Sequence, residues 1–353
     1  MSIITGTGSY LPTTKVLNSN FLNHTFYETN GKVLQKDILS ITEKFSEITG
    51  IRERRYAEPE QVASSLGILA AEEALRASNT ERNSIDCIIA AHNFGDMAAG
   101  SNRVNIVPTV ASKIKAGLRI TNPDCVAYDL AFGCPGWVEG LIQSHYYLRS
   151  GDMSKCLVIG TETLSRVIDA HDRDSMIFSD GAGAVVLEKS DLKGKGILSH
   201  KTQTFAVDYA DFINMNSSNC PTVTGSDLYL KMDGRKVYEF ALNQVPLVIK
   251  AAIDKAGLHV DDIKLLLIHQ ANEKMNNAIG ERLLQLYSSK SKLRDLMPLT
   301  VGLLGNSSVA TVPTLLDLIL RKQMPPYEIN NGDNVVFASV GAGMNINAAV
   351  YGF

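Results

Sequence analysis

Two stretches of this chain look alike at one fixed separation, and that separation limits the possible fold more than any other feature. A helical pattern ending in Ala74-Leu75-Arg76-Ala77, a turn and an apolar run over residues 85–91 closing on His92-Asn93 form the first copy. The second has Ala252-Ile253-Asp254-Lys255, a turn and residues 263–268 closing on His269-Gln270-Ala271-Asn272. The offset from 85 to 263 is 178 residues, and the same offset lays residues 334–340 over 156–162. A repeat at half the chain length predicts two similar α/β halves related by pseudo-symmetry. The strand-type runs are apolar on both faces and alternate with helices, so each sheet should be covered on both sides. The junction falls near residues 187–196, giving an N-terminal half over 1–190 and a C-terminal half over 191–353.

A length of 353 residues allows two core-forming units. With 45% apolar and 20% charged residues, the composition excludes disordered, collagen-like and coiled-coil classes. The net charge of −3 gives no whole-chain signal for nucleic acid or an anionic membrane. No apolar run approaches the ~18 residues a spanning helix needs. Five cysteines, an odd number without CxxC spacing and behind no signal peptide, argue against disulfides and zinc and for the cytoplasm. Two regions fall outside the repeat. Residues 20–50 present Ile38, Ile41, Phe45 and Ile48 on one helical face with Gly50 as the C-cap, and residues 200–227 read as a long polar loop.

The chemistry centres on Cys134, which follows a strand-like stretch over 125–132 and precedes Pro135 and Glu139, both helix-start residues. A thiol there meets unpaired N–H groups and a helix dipole that favour the thiolate. Cys87 and Cys156 lie inside apolar strands and read as inert core thiols. A thiolate nucleophile works with an imidazole, and His269 at a strand end is the best placed of seven histidines. Gly305-Asn306 forms a turn near the repeat's counterpart of Gly133-Cys134, so both would sit where the halves meet. The glycines of 181–183 and 341–343 complete no G-x-G-x-x-G signature and read as tight backbone turns rather than phosphate loops.

Six motifs in order resemble the β-ketoacyl-acyl-carrier-protein synthase III family. They are Gly6-Thr7-Gly8-Ser9-Tyr10-Leu11-Pro12, the Thr49-Gly50-Ile51-Arg52-Glu53-Arg54-Arg55 stretch, Cys134-Pro135-Gly136, the Ser179–Ala184 segment, His269-Gln270-Ala271-Asn272 and Gly305-Asn306-Ser307-Ser308. The resemblance implies a thiolase-like, five-layer αβαβα fold and a homodimer that needs no metal or redox cofactor. It also implies a triad of Cys134, His269 and Asn306. Cys134 would take an acyl group from a thioester, with backbone N–H groups of Cys134 and Ala342 as its oxyanion hole. A second thioester, carried by acyl carrier protein, would then supply the carbanion, its enolate oxygen held by His269 and Asn306.

Several positions depart from the family pattern. The Trp that stacks coenzyme A is replaced by Lys44, although Arg173 keeps the place of its partner, so a carrier-bound primer is expected. Arg235, Lys236, Lys274 and Arg282 fall on the family's docking surface. Val107 stands where a partner-supplied Phe closes the acyl tunnel, and Phe132 and Trp137 alter the wall near the thiol. These changes resemble the branch that joins a β-ketoacyl to an unsaturated acyl thioester on the way to cyclohexanediones and dialkylresorcinols. A same-fold acyltransferase acting on an alcohol or amine is a further alternative, against which Asn306 counts. A non-catalytic partner subunit ranks last, because all three triad positions are filled.

Overall fold

A computed structural model describes all residues, 1–353. The first half contains strands β1 (Ser2–Tyr10), β2 (Thr14–Leu17), β3 (Glu53–Tyr56), β4 (Cys87–Ala91), β5 (Val126–Leu130), β6 (Lys155–Thr163) and β7 (Asp180–Lys189). Its helices are α1 (Ile38–Thr49), α2 (Ala63–Ser78), α3 (Val110–Gly117) and α4 (Gly136–Ser150). The second half adds β8 (Gly196–Thr204), β9 (Ile213–Asn216), β10 (Tyr229–Met232), β11 (Ile263–Ile268), β12 (Asn334–Gly341) and β13 (Asn345–Gly352). Helices α5 (Gly234–Lys255), α6 (Glu273–Leu286), α7 (Leu293–Leu296), α8 (Val301–Leu304) and α9 (Thr311–Leu320) complete it.

The two large sheets repeat one topology. The first runs β1-β7-β6-β4-β5 and the second β8-β13-β12-β11. In each, a parallel pair (β4 with β6, β11 with β12) is followed by antiparallel neighbours, and the first sheet adds β5, parallel to β4, at its edge. Ala91 pairs with Gly160 and Ile268 with Ala338, so β6 and β12 keep the 178-residue offset. Strand β11 does not: Ile263 pairs with Asn334 as Cys87 pairs with Cys156, an offset of 176, which the irregularity between Ile263 and Leu265 then shifts by one residue. The offset becomes 177 at the strand end, and His92 is thereby the symmetry counterpart of His269.

Continuous apolar strands are buried on both faces, as the sequence pattern requires. One face of β4, with Cys87, Ile89 and Ala91, packs against α4 and α9 between the sheets, together with Leu265, Leu267 and Phe337 from the second sheet. The opposite face, with Ile88 and Ala90, packs beneath α2 and α3. In the second half Leu266, Ile268 and Val336 face α5 and α6. The order is therefore helices, sheet, α4 with α9, sheet, helices, which is the five-layer αβαβα arrangement. No helix is long and apolar enough to cross a membrane.

Two local readings need correction. Gly50 ends α1 in the left-handed region as expected of its C-cap, Asp37 caps its start, and Ile41 and Phe45 are buried, but Ile48 is exposed. The expected loop over 200–227 is partly ordered: 200–204 completes β8, and β9 pairs with β10 as a hairpin whose polar residues conceal its short strands. Lys231 in β10 anchors that hairpin by ion pairs to Asp169 at 2.5 Å and Asp172 at 3.1 Å.

Candidate active site

Cys134 follows β5 and directly precedes Pro135, the residue that caps α4. The turn is possible because Gly133 has φ 67° and because a side chain at Gly341 would come within 2.5 Å of the Cys134 nitrogen. The same packing sets Ala342 beside the turn, its nitrogen 2.9 Å from where a Gly133 side chain would begin. Burial pushes the Cys134 thiol up to about 11, and a hydrogen bond from the Ser308 hydroxyl, 3.2 Å from Sγ, works against that rise. The helix start alone therefore does not give the lowered thiol expected from sequence.

His269 continues the β11 ladder, its N–H donating to Ala338 O at 2.9 Å. Its Nδ1 lies 2.7 Å from the Thr311 hydroxyl, which is also 3.0 Å from Ser308 O. Burial holds the ring well below the ordinary histidine value, at about 4, so it is neutral at pH 7. The Thr311 hydroxyl has one hydrogen and two acceptors, Ser308 O and Nδ1: given to Ser308 O it leaves the ring proton on Nδ1, and turned to Nδ1 it leaves that proton on Nε2.

Asn306 is fixed from both sides. Its backbone N–H donates to Ile177 O at 3.0 Å, and its carbonyl accepts from Ser179 N–H at 2.9 Å. The side-chain Oδ1 accepts the Ser308 N–H at 2.8 Å, which orients the amide and leaves its NH₂ as the outward donor. Asn306 lines a cavity of about 1710 Å³ bounded by α1, the β9–β10 hairpin and the starts of α5 and α6. One six-residue segment, 306–311, thus carries the donor amide and contacts both Cys134 and His269.

Of the expected docking residues, Arg173, Arg235 and Lys236 line this cavity, as does Lys44, whereas Lys274 and Arg282 lie on exposed turns of α6 outside it. These four cations each have a carboxylate neighbour, Arg173 with Asp174, Arg235 with Glu239, Lys236 with Asp233 and Lys44 with Glu47, and the cavity is lined by Lys36 and Lys231 as well. Trp137 is no part of the cavity wall. It lies in the core between the sheets, edge-on to Phe337 at 5.8 Å, because a position three residues beyond Cys134 turns to the helix's inner face. Phe132 is partly buried and lies outside the cavity lining, with its carbonyl accepting from Asn345 Nδ2 at 3.4 Å. Val107 is 85% exposed on the single chain.

Sequence reasoning gave no role to Ser308 or Thr311, although Ser308 belongs to a quoted motif. It also missed Asn93 and Glu162. Glu162 is completely buried on β6, and burial raises its carboxyl to about 7. It accepts from Asn93 N–H at 3.1 Å and Asn93 Nδ2 at 2.7 Å. His92, beside Asn93, lies 2.9 Å from Asp129 through Nε2 and accepts the Gly95 N–H at Nδ1. The available signal was the repeat itself, which places His92-Asn93 opposite His269-Gln270. No group of three or more His, Cys, Asp or Glu residues is placed to hold a metal ion.

The layered fold is that of the thiolase-type condensing enzymes. The family described as 3-oxoacyl-[acyl-carrier-protein] synthase III matches residues 128–205, and its C-terminal part matches 253–353. A β-ketoacyl-[acyl-carrier-protein] synthase III from Sphingopyxis alaskensis is 34% identical over 351 residues, covering 99% of this chain and 98% of the relative. One from Neisseria meningitidis is 32% identical, covering 96% and 95%. The crystal structure of the Thermus thermophilus synthase III matches with a TM-score of 0.81 at 29% identity, covering 99% of this chain and 98% of that one. The chain belongs to the β-ketoacyl-[acyl-carrier-protein] synthase III family.

Proposed function

We propose that this chain forms a carbon–carbon bond by Claisen-type condensation of a Cys134-bound acyl group with a thioester held by acyl carrier protein. Cys134 attacks the first thioester and expels its thiol, while the N–H groups of Cys134 and Ala342 hold the oxyanion. The second thioester loses CO₂, leaving an enolate whose oxygen accepts from Asn306 Nδ2 and, in the tautomer with Thr311 turned to His269 Nδ1, from His269 Nε2. The carbanion attacks the acyl carbonyl, Cys134 leaves as thiolate, and a β-ketoacyl thioester departs.

The observation that carries this reading is the Asn306 amide, whose Oδ1 is occupied by the Ser308 N–H so that its NH₂ is the donor left for an oxyanion. Transfer of an acyl group to an alcohol or amine needs no such second donor. The cations Lys44, Arg173, Arg235 and Lys236 that line the cavity support a phosphopantetheine-borne substrate, though each of these is already paired and is individually worth little.

The division into halves 1–190 and 191–353 belongs to the same proposal, supported by the repeated sheet order. So does a cytoplasmic homodimer, supported by five free thiols and by exposed Val104, Ile106 and Val107 in one loop. Sedimentation at several concentrations checks the dimer. Incubation with malonyl and acyl carrier-protein thioesters, followed by mass spectrometry, should yield a β-ketoacyl product. A product arising only from β-ketoacyl plus enoyl thioesters would refute this assignment.

A further inference from the structure

Burial opposes formation of the Cys134 thiolate, the nearby charge of Glu162 adds to that opposition, and the one side chain that donates to its sulfur is Ser308. The question is what holds the serine hydrogen in that direction. A hydroxyl has one hydrogen and can rotate, so its direction is set by the other groups around its oxygen. Asn93 Nδ2 lies 3.0 Å from Ser308 Oγ and 2.7 Å from Glu162 Oε2. Above its raised value of about 7, Glu162 is ionised and acceptor-only, so it fixes the amide with its nitrogen inward. Turned over, the amide oxygen would face the carboxylate at the same short distance. The NH₂ then spends one hydrogen on Glu162 and the other on the Ser308 oxygen. With an incoming donor on that oxygen, the serine hydrogen is left for Cys134 Sγ.

The backbone adds an independent observation. Ser308 has φ 52°, a left-handed conformation that glycine adopts without steric cost and serine does not. Strained residues of this kind gather where the side chain has a task. Retaining a hydroxyl at a glycine-like position fits a task for the hydroxyl rather than for the backbone.

We propose that Glu162, Asn93 and Ser308 form a one-way hydrogen-bond relay that holds a hydroxyl donor on the Cys134 thiolate. Ser308 acts on the reacting sulfur directly, whereas Asn93 and Glu162 are positioning residues. The proposal rests on Cys134 being the nucleophile. The other titratable groups packed around the relay are His92 and Asp129 at the ends of β4 and β5, Asp180 on β7, and His269 across Thr311.

The test measures the rate of iodoacetamide labelling of Cys134 against pH, read at the Cys134 peptide by mass spectrometry, in the full-length protein. Ser308→Gly removes the donor while relieving the backbone, so its melting temperature should hold or rise. The apparent pKa of Cys134 should rise by about one unit, making labelling at neutral pH roughly tenfold slower. A second variant, Asn93→Asp with Glu162→Gln, keeps a hydrogen-bonded pair but reverses it. The new aspartate accepts the Ser308 hydrogen and draws it off the sulfur, so the same rise is expected with the fold retained. An unchanged labelling profile in either variant overturns the relay. So does a profile that moves only in a variant that has lost its melting transition. Failure of the underlying assignment is seen separately, as wild-type protein that gains no acyl mass at Cys134 from thioester substrate.

Discussion

Asn306→Asp is the sharpest single perturbation, because it changes one donor and leaves nearly everything else in place. The backbone bonds to Ile177 and Ser179 are unaffected, and an aspartate oxygen can still accept the Ser308 N–H now received at 2.8 Å. What changes is the NH₂, replaced by a carboxylate oxygen at a position only 6% exposed, where water is poorly placed to substitute. Loss of one oxyanion donor costs about 3 kcal/mol. Repulsion between a carboxylate and an enolate about 4 Å apart adds ~4 kcal/mol at an effective dielectric constant of 20. Together these correspond to a loss of roughly 10⁵ in the condensation step. Acyl loading of Cys134 involves no enolate and should change by less than tenfold. The assay follows acyl mass on the protein and release of CO₂ from malonyl carrier protein as separate half-reactions. Condensation should recover partly as pH falls, since a neutral carboxyl can donate. Equal loss of both half-reactions, or condensation within tenfold of wild type, would refute the reasoning.

Three further outcomes are expected. Cys134→Ala should abolish acyl loading, whereas Cys87→Ala and Cys156→Ala should retain it, since those thiols are sealed in the strands; intact-protein mass after incubation with substrate decides this. The folded-state value of His269 lies at about 4, against an unfolded value of about 6.5, so the unfolded chain binds the extra proton between them. Stability should fall as pH drops through that window, by up to about 3 kcal/mol from this residue. Urea denaturation at pH 7, 6 and 5 should show His269→Gln losing less than wild type. Val107→Phe should shorten the preferred acyl chain in the proposed dimer, because excluding three methylenes costs ~2.4 kcal/mol, a preference of roughly fiftyfold. An unchanged preference across a chain-length series would remove Val107 from the tunnel.

The sequence made legible what depends on local punctuation and on the repeat. Cys134 is marked by the strand before it and Pro135 after it, and His269 by the end of an apolar run. The paired sheets follow from one offset. Contacts that close over long separations left no local trace. Glu162 meets Asn93 across 69 positions and Asn93 meets Ser308 across 215, and nothing beside any of them announces the encounter. Trp137 lies in the core between the sheets, a place that closeness to Cys134 in sequence could not reveal, since it says little about which side of a helix a residue occupies. The β9–β10 hairpin was missed because its strands have four residues each, too few to show alternation through so many polar side chains.

The segment 306–311 also sets when the chain can acquire its chemistry. β1 pairs with β7, Ser2 opposite Lys189, so the first large sheet has all its strands once residue 189 has been synthesised. The thiol at position 134 is part of that early assembly. Its donor at Ser308, the amide of Asn306 and the hydroxyl that sets His269 are all encoded more than a hundred residues later. A chain that ends between the two regions has every strand of the first sheet but none of these three groups, and it also lacks α9 and the second sheet that cover the inner face of that first sheet. The reactivity of the sulfur is thus a property of both halves together.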